Sequence, residues 1–129
     1  MAITSSRVLQ EKWDPTATAF KFTSGELIYA GCPIVISPAD GTIMNITTDG
    51  YVAGVSSDDI ASGAEGKVQT GTWEFPSVAG VNAVDVGQAA YFNDEGNVTT
   101  ISTEGQLGGV IVAVERAGYA FVKFDFPVV

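Results

Sequence analysis

Few residues in this sequence could support chemistry, because histidine is absent and Cys32 is the only cysteine. Without histidine, the commonest general base and the commonest transition-metal ligand are both missing. Ser-His-Asp and Cys-His catalytic arrangements are therefore excluded. Cys32 lies between Gly31 and Pro33, in an apolar context with no basic residue beside it. We therefore predict a buried, unreactive thiol.

The run at residues 63–67 invites comparison with a phosphate-binding loop. That motif requires glycine where Ala61 stands and serine or threonine where Val68 stands. The missing glycine would let backbone amides wrap the phosphates, and the missing hydroxyl would bind magnesium. The sequence therefore does not support nucleotide hydrolysis.

Adjacent carboxylates occur at Asp58-Asp59 and Asp94-Glu95. Neighbouring acids in turns can hold a hard cation or, when buried, act as an acid and base pair. Neither pair has EF-hand spacing, so we interpret both as solvated turn residues, with a weak surface cation site as the alternative. No catalytic residue, cofactor or metal site is predicted, and we expect the protein not to be an enzyme.

The scaffold contains an internal repeat. Residues 48–55 (TDGYVAGV) recur as residues 103–110 (TEGQLGGV), and each copy is followed by an aromatic segment ending in proline, at residues 73–76 and 124–127. The matched positions are turn glycines, turn acids and apolar strand residues. We therefore predict a body made of two similar β halves, about residues 24–76 and 86–127.

Turn residues recur at intervals of roughly 8–15 residues along the chain, which indicates an all-β protein, a small barrel or sandwich. Short segments rich in β-branched and aromatic residues lie between the turns. The predicted strands include residues 33–36, 42–47, 51–55 and 88–92. Helix is predicted at most as a single turn within residues 57–62.

Two segments alternate with the period of a strand. In residues 119–126, the set predicted to face the core is Ala120, Val122, Phe124 and Phe126, and Tyr119, Phe121, Lys123 and Asp125 point the other way. Residues 67–75 alternate more loosely, which favours an inward face with Trp73 and Phe75. Trp73 and Phe124 are then predicted to be equivalent core anchors.

Residues 1–22 differ from the rest of the chain, because they lack glycine and carry isolated aromatic residues. We interpret them as an extended N-terminal arm, followed by a single body at residues 23–129. The residues we expect to anchor this arm on a partner are Arg7, Lys12, Trp13, Phe20 and Phe22. In the alternative interpretation, Phe20 and Phe22 begin the first strand of the body and Trp13 covers an edge of the same subunit.

Size and charge limit the classes of partner. A chain of 129 residues fits one domain, and its formal net charge is −9. A body this acidic repels phosphate backbones, so we expect no nucleic-acid binding. The longest apolar run, residues 110–114, is too short to cross a bilayer, so no membrane association is expected.

Five short motifs occur in an order and spacing that resemble one protein family. They are TSGEL at residues 23–27, GYVAGV at 50–55, GTWEFP at 71–76, VGQAAYF at 86–92 and LGGV at 107–110. Together they resemble the tailed-phage capsid cement, or decoration, proteins, some of which have carried the label of predicted phage recombinase. The failed phosphate-loop match argues against that label here.

The resemblance implies a protein of the virion that binds the outside of the phage head, and the single cysteine, which cannot form an intrachain disulfide, favours synthesis in the host cytoplasm. It implies that the major capsid protein is the partner, and that copies of the chain associate as a homotrimer, with a dimer as the alternative. Two other interpretations remain open: a tail, fibre or carbohydrate-binding β module, and a small trimeric β-barrel enzyme. The absence of histidine and of a recognisable motif weighs against the enzyme.

Overall fold

The computed structural model describes residue 3, residues 5–48 and residues 50–125, and it is built from antiparallel sheets. A six-stranded sheet has the order β1 (Glu11–Lys12), β7 (Thr72–Pro76), β11 (Tyr119–Phe124), β10 (Gln106–Ala113), β8 (Ala89–Phe92) and β9 (Val98–Thr99). A three-stranded sheet has the order β4 (Ile43–Asn45), β3 (Ile34–Ile36) and β5 (Tyr51–Gly54). Strands β2 (Ala19–Thr23) and β6 (Glu65–Gln69) form a separate two-stranded ribbon.

The prediction of an all-β fold is confirmed, and the arrangement is sandwich-like because no sheet closes into a barrel within the described ranges. The predicted strands at residues 33–36, 42–47, 51–55 and 88–92 correspond to β3, β4, β5 and β8. Helical structure in the described part of the chain consists of two 3-10 turns, Ala83–Asp85 and Ser102–Glu104, and residues 57–62 form no helix. The division into halves stays a prediction.

The core consists of two clusters. The larger one contains Phe75, Phe92 and Phe124, whose ring centroids lie 4.8 to 5.9 Å apart. The two contacts of Phe75 are edge-to-face and the Phe92–Phe124 contact is stacked, and aromatic pairs of these kinds add about 0.5–1.5 kcal/mol each to the stabilisation from burial alone. The smaller cluster is aliphatic and lies between the three-stranded sheet and the ribbon; its buried members are Ile28, Ile34, Ile43, Ala53, Ile60 and Val68.

Residues 67–75 do not form one strand as predicted. The chain turns at Gly71, whose φ of +98° suits glycine, and this turn separates β6 from β7. Trp73 is only partly buried, whereas Phe75 is fully buried, so Phe75 is the aromatic residue that packs beside Phe124. The predicted inward face of Trp73 and Phe75 is confirmed, because both pack in the larger cluster, but Trp73 is less buried than Phe124.

The alternation in β11 is confirmed on its inner side, where Ala120, Val122 and Phe124 are buried, while Phe126 lies outside the described residues. The opposite side differs from the prediction, because Phe121 is only 1% exposed. The ammonium of Lys12 lies 4.8 Å from the centroid of the Phe121 ring. The Lys12 side chain, which extends from the edge strand β1, therefore reaches over Phe121 on this side of the six-stranded sheet.

The two copies of the repeat share a local backbone geometry. In β5, Val52 pairs with Val35 and Gly54 with Ile34, so Ala53 forms a bulge. In β10, the matching Leu107 pairs with Tyr91 and Gly109 with Ala90, so Gly108 forms a bulge. A bulge places two residues opposite one and bends the strand, and here it occurs at the same position of each copy.

Candidate functional site

Among the residues that the structure describes, the chemistry-bearing side chains do not assemble into a reactive site. Cys32 is fully buried, and this burial raises the pKa of its thiol, which donates to the carbonyl oxygen of Ser5 at 3.5 Å. A thiol protonated at neutral pH is a poor nucleophile. Its burial agrees with the sequence-based interpretation.

The acidic pairs lie apart from one another in surface turns. Asp59 accepts hydrogen bonds from the Ser6 hydroxyl at 2.6 Å and from the Ala30 amide at 2.8 Å, and these two donors hold the pKa of Asp59 below its usual value. Asp94 and Glu95 line an open hollow. Within the described ranges, no three histidine, cysteine or acidic side chains are arranged to hold a metal ion.

The glycine-rich run does not adopt the geometry of a phosphate-binding loop. Gly63 lies in a turn, and residues from Glu65 onward form strand β6 instead of a helix. The amides are therefore not gathered at a helix N-terminus, where they could bind a phosphate.

In the same described part of the chain, no helix is long and apolar enough to cross a bilayer.

Arg7 lies against the turn at residues 95–97. Its guanidinium donates to the carbonyl oxygens of Gly96, at 3.0 Å, and Glu95, and to Asn97 Oδ1 at 3.2 Å. Its backbone amide donates to the carbonyl oxygen of Ala30 at 2.7 Å. All these contacts are within one chain, so Arg7 positions the N-terminal segment on its own body.

The next part of the segment is attached to the six-stranded sheet. Strand β1 pairs with β7 through Glu11↔Trp73 and Lys12↔Thr72. The Lys12 ammonium lies 2.5 Å from Glu115 Oε2. Lys12 therefore contributes to the intrachain attachment, in addition to covering Phe121.

Asp14 anchors the segment where it leaves β1. Its side chain is 4% exposed and accepts from the Thr16 hydroxyl at 2.6 Å, the Thr16 amide at 2.8 Å and the Thr72 hydroxyl at 3.0 Å. The Lys123 ammonium lies 3.8 Å away. These donors, foremost the Thr16 hydroxyl, hold the pKa of Asp14 below its usual value. The carboxylate is therefore stabilised in its charged form.

Phe20 and Phe22 lie on β2, which pairs with β6 over five residues. Both side chains are half-buried, and Phe22 packs against the aliphatic cluster. This placement agrees with the alternative interpretation, in which these two residues begin the first strand of the body. They form part of the fold and are not the most exposed members of the predicted arm.

Trp13 is different, because it is 87% exposed. It lines an open hollow beside Val112 of β10 and Lys123 of β11. Val110 and Val112 flank the fully buried Ile111, so they point to the outside of the six-stranded sheet. We call Trp13, Leu107, Val110 and Val112 the outer apolar surface; each is at least 38% exposed.

The contribution of β10 to this surface was not predicted from the sequence. Its signal was present, because Val110 and Val112 alternate with Ile111, but a period of two does not say which set faces the core. Two ion pairs lie beside the surface, Lys12–Glu115 and Lys123–Asp14, and each pair has no net charge. The surface therefore has an apolar centre with neutral surroundings on a chain of net charge −9. Its chemistry suits binding and not catalysis.

A model of the phage cement protein family matches residues 10–125, which is most of the chain. No curated protein and no solved structure matches the chain. The matched residues include β1, Trp13 and the whole of β10.

Proposed function

Because the chain belongs to the phage cement protein family, a family with a structural, capsid-associated role, we propose that it binds the outer surface of a tailed-phage capsid. There it stabilises the shell by bridging neighbouring major capsid subunits. The proposal assigns no catalytic residue, no cofactor and no metal to the chain. It places the protein in the virion, after synthesis in the host cytoplasm.

The outer apolar surface supports capsid binding independently of family membership. The outer apolar surface presents Trp13, which follows the edge strand β1, beside three aliphatic side chains of β10. An exposed tryptophan with an apolar surround is the composition typical of the centre of a protein interface. Of the five residues predicted for the arm, Trp13 is the one whose side chain is free of intrachain burial, so it is the anchor we assign to the capsid.

The charge of the chain supports docking on a basic region of the shell. A chain with net charge −9 is steered towards positive potential, and the attraction weakens with salt. A homotrimer, which we propose as the assembled form with a dimer as the alternative, would carry a formal charge of −27. The neutral surroundings of Trp13 allow this part of the surface to approach closely.

The experiment uses capsid shells of the source phage that lack this protein. Purified chain is added, the shells are sedimented, and occupancy is measured together with the temperature at which the shells release their DNA or collapse. We expect saturable binding on the outside, visible as density in a cryo-EM map, and a higher collapse temperature. Absence of the chain from both shells and virions would contradict the proposal.

A carbohydrate-binding virion module is the second candidate, favoured by the exposed indole of Trp13, because flat aromatic faces can stack on sugar rings. A glycan array discriminates the two functions. Binding to a glycan that Trp13→Ala abolishes, without binding to shells, would favour this candidate over the cement function.

A further inference from the structure

Two lysines lie directly opposite each other on the ribbon of β2 and β6. Lys21 pairs with Lys67 in the antiparallel register, and both side chains are exposed. The next pairs on the same face are Ala19↔Gln69 and Thr23↔Glu65. Neither ammonium group forms an ion pair with any residue that the structure describes, and this includes Glu65.

The ribbon fixes the backbone positions of these two lysines opposite each other. On its other face, Val68 is fully buried and Phe22 packs against the same aliphatic cluster, so the ribbon is fixed to the body. Like charges directly opposite each other in a sheet destabilise the fold. The pair therefore has a cost in the free protein, and no acidic residue in the described part of the chain offsets it through an ion pair.

The other four basic residues are engaged within the chain. Arg7 donates to the turn at residues 95–97, and Lys12 pairs with Glu115. Arg116 donates to Glu74 at 2.8 Å, and Lys123 lies near Asp14. The Lys21–Lys67 pair is thus a local concentration of unneutralised positive charge on a strongly acidic chain.

We propose that Lys21 and Lys67 bind acidic side chains on the major capsid protein. This inference rests on the proposed function, and it assigns the chain a second contact, on a different sheet from the outer apolar surface. Each ammonium offers three donors, so the pair can bind two carboxylates or share one between them. A local positive contact on an acidic protein also fixes orientation, because it disfavours a basic region of the shell at that position.

Other anionic partners fit less well. Nucleic acid is repelled by the rest of the chain, whose charge without these two lysines is −11. A second copy of the chain also carries carboxylates, so self-association is measured as a separate outcome of the test. The major capsid protein is the partner that the proposed function already requires.

The test is binding of Lys21→Gln/Lys67→Gln to shells that lack the protein, measured over a range of salt. We expect its affinity to be lower than that of the wild type by about threefold to tenfold, as for exposed ion pairs, with a weaker dependence on salt. The thermal unfolding midpoint of the free variant should be equal to or above that of the wild type, since a repulsion has been removed. A lower midpoint would identify a structural role and overturn the inference.

A matched variant distinguishes the effect of losing the two lysines from the effect of changing the net charge. Adding Asp94→Asn and Glu95→Gln to the double variant restores the net charge of −9, and we expect it to bind shells as weakly as the double variant. Recovery of affinity, or unchanged or tighter binding by the double variant, overturns the inference and leaves the proposed function standing. If the double variant loses self-association while retaining shell binding, the partner is a second copy and the inference is wrong. If the wild type itself does not bind shells, the proposed function and the inference both fall.

Discussion

The Arg7 guanidinium donates a hydrogen bond to the carbonyl oxygen of Gly96 at 3.0 Å, across 89 positions of the chain. With its contacts to Glu95 and Asn97, it ties the N-terminal segment to the turn between β8 and β9. Gly96 has a φ of +74°, so the turn is shaped to present these oxygens. The part of the segment that contains Arg7 is therefore structural, although Trp13 lies only six residues further on.

We expect Arg7→Gln to lower the free energy of unfolding by about 1–3 kcal/mol, because several charge-assisted hydrogen bonds are lost. Urea denaturation measures this. Val8→Ala is the control on the same segment, since Val8 is fully exposed, and should change stability by less than about 0.5 kcal/mol. At a temperature where Arg7→Gln is folded, its affinity for shells should equal that of the wild type. Loss of affinity without loss of stability would return Arg7 to the capsid contact.

The elements that the sequence predicted well are those specified by neighbours along the chain. Gly41, Gly63 and Gly118 belong to the turn residues that recur along the sequence and have positive φ, and the strands between turns follow local composition. The burial of Phe121 was missed because it depends on Lys12, which lies more than a hundred residues away. Only part of the outer apolar surface was predicted from the sequence. Trp13 could be identified by its residue type, but its neighbour Val112 comes from a strand about a hundred residues away.

Gly54 of β5 and Gly109 of β10 occupy matching positions of the repeat, and at both positions a neighbouring backbone carbonyl leaves no room for a side chain. A Cβ at Gly54 would collide with the carbonyl oxygen of Gln69, and one at Gly109 with that of Lys123. We expect Gly54→Ala and Gly109→Ala each to cost about 3 kcal/mol, since backbone atoms cannot move aside without disturbing the sheet. Gly63→Ala is the control: its Cβ would meet nothing, and only its positive φ should cost about 1 kcal/mol. Equal losses for Gly63→Ala and Gly109→Ala in thermal unfolding would contradict this reasoning.

Asp14 should make the free energy of unfolding depend on pH in the acidic range. Its pKa is lowered from 3.8 in the folded chain, first by the Thr16 hydroxyl, so the carboxylate stabilises the fold above that value. The contribution is lost as pH falls through the folded pKa. We expect Asp14→Asn to cost about 1 kcal/mol at pH 7 and progressively less below pH 4, by urea unfolding. Thr16→Ala retains the carboxylate and should show a smaller pH dependence than the wild type. A wild-type minus Asp14→Asn difference that is constant between pH 7 and pH 2 would show that hydrogen-bond geometry and not charge is responsible.

Substitution of Trp13 should affect binding to shells much more than it affects folding, because Trp13 is the most exposed residue of the outer apolar surface. Because its side chain is 87% exposed, Trp13→Ala should change the free energy of unfolding by less than about 0.5 kcal/mol. An interface anchor of this type contributes about 2 kcal/mol or more, so affinity for shells should fall by about thirtyfold. Leu27→Ala is the matched control, because Leu27 is 45% exposed but lies outside that surface, and it should bind as the wild type does. Equal occupancy of shells by Trp13→Ala and Leu27→Ala, measured by co-sedimentation at limiting protein, would remove the indole from the capsid contact.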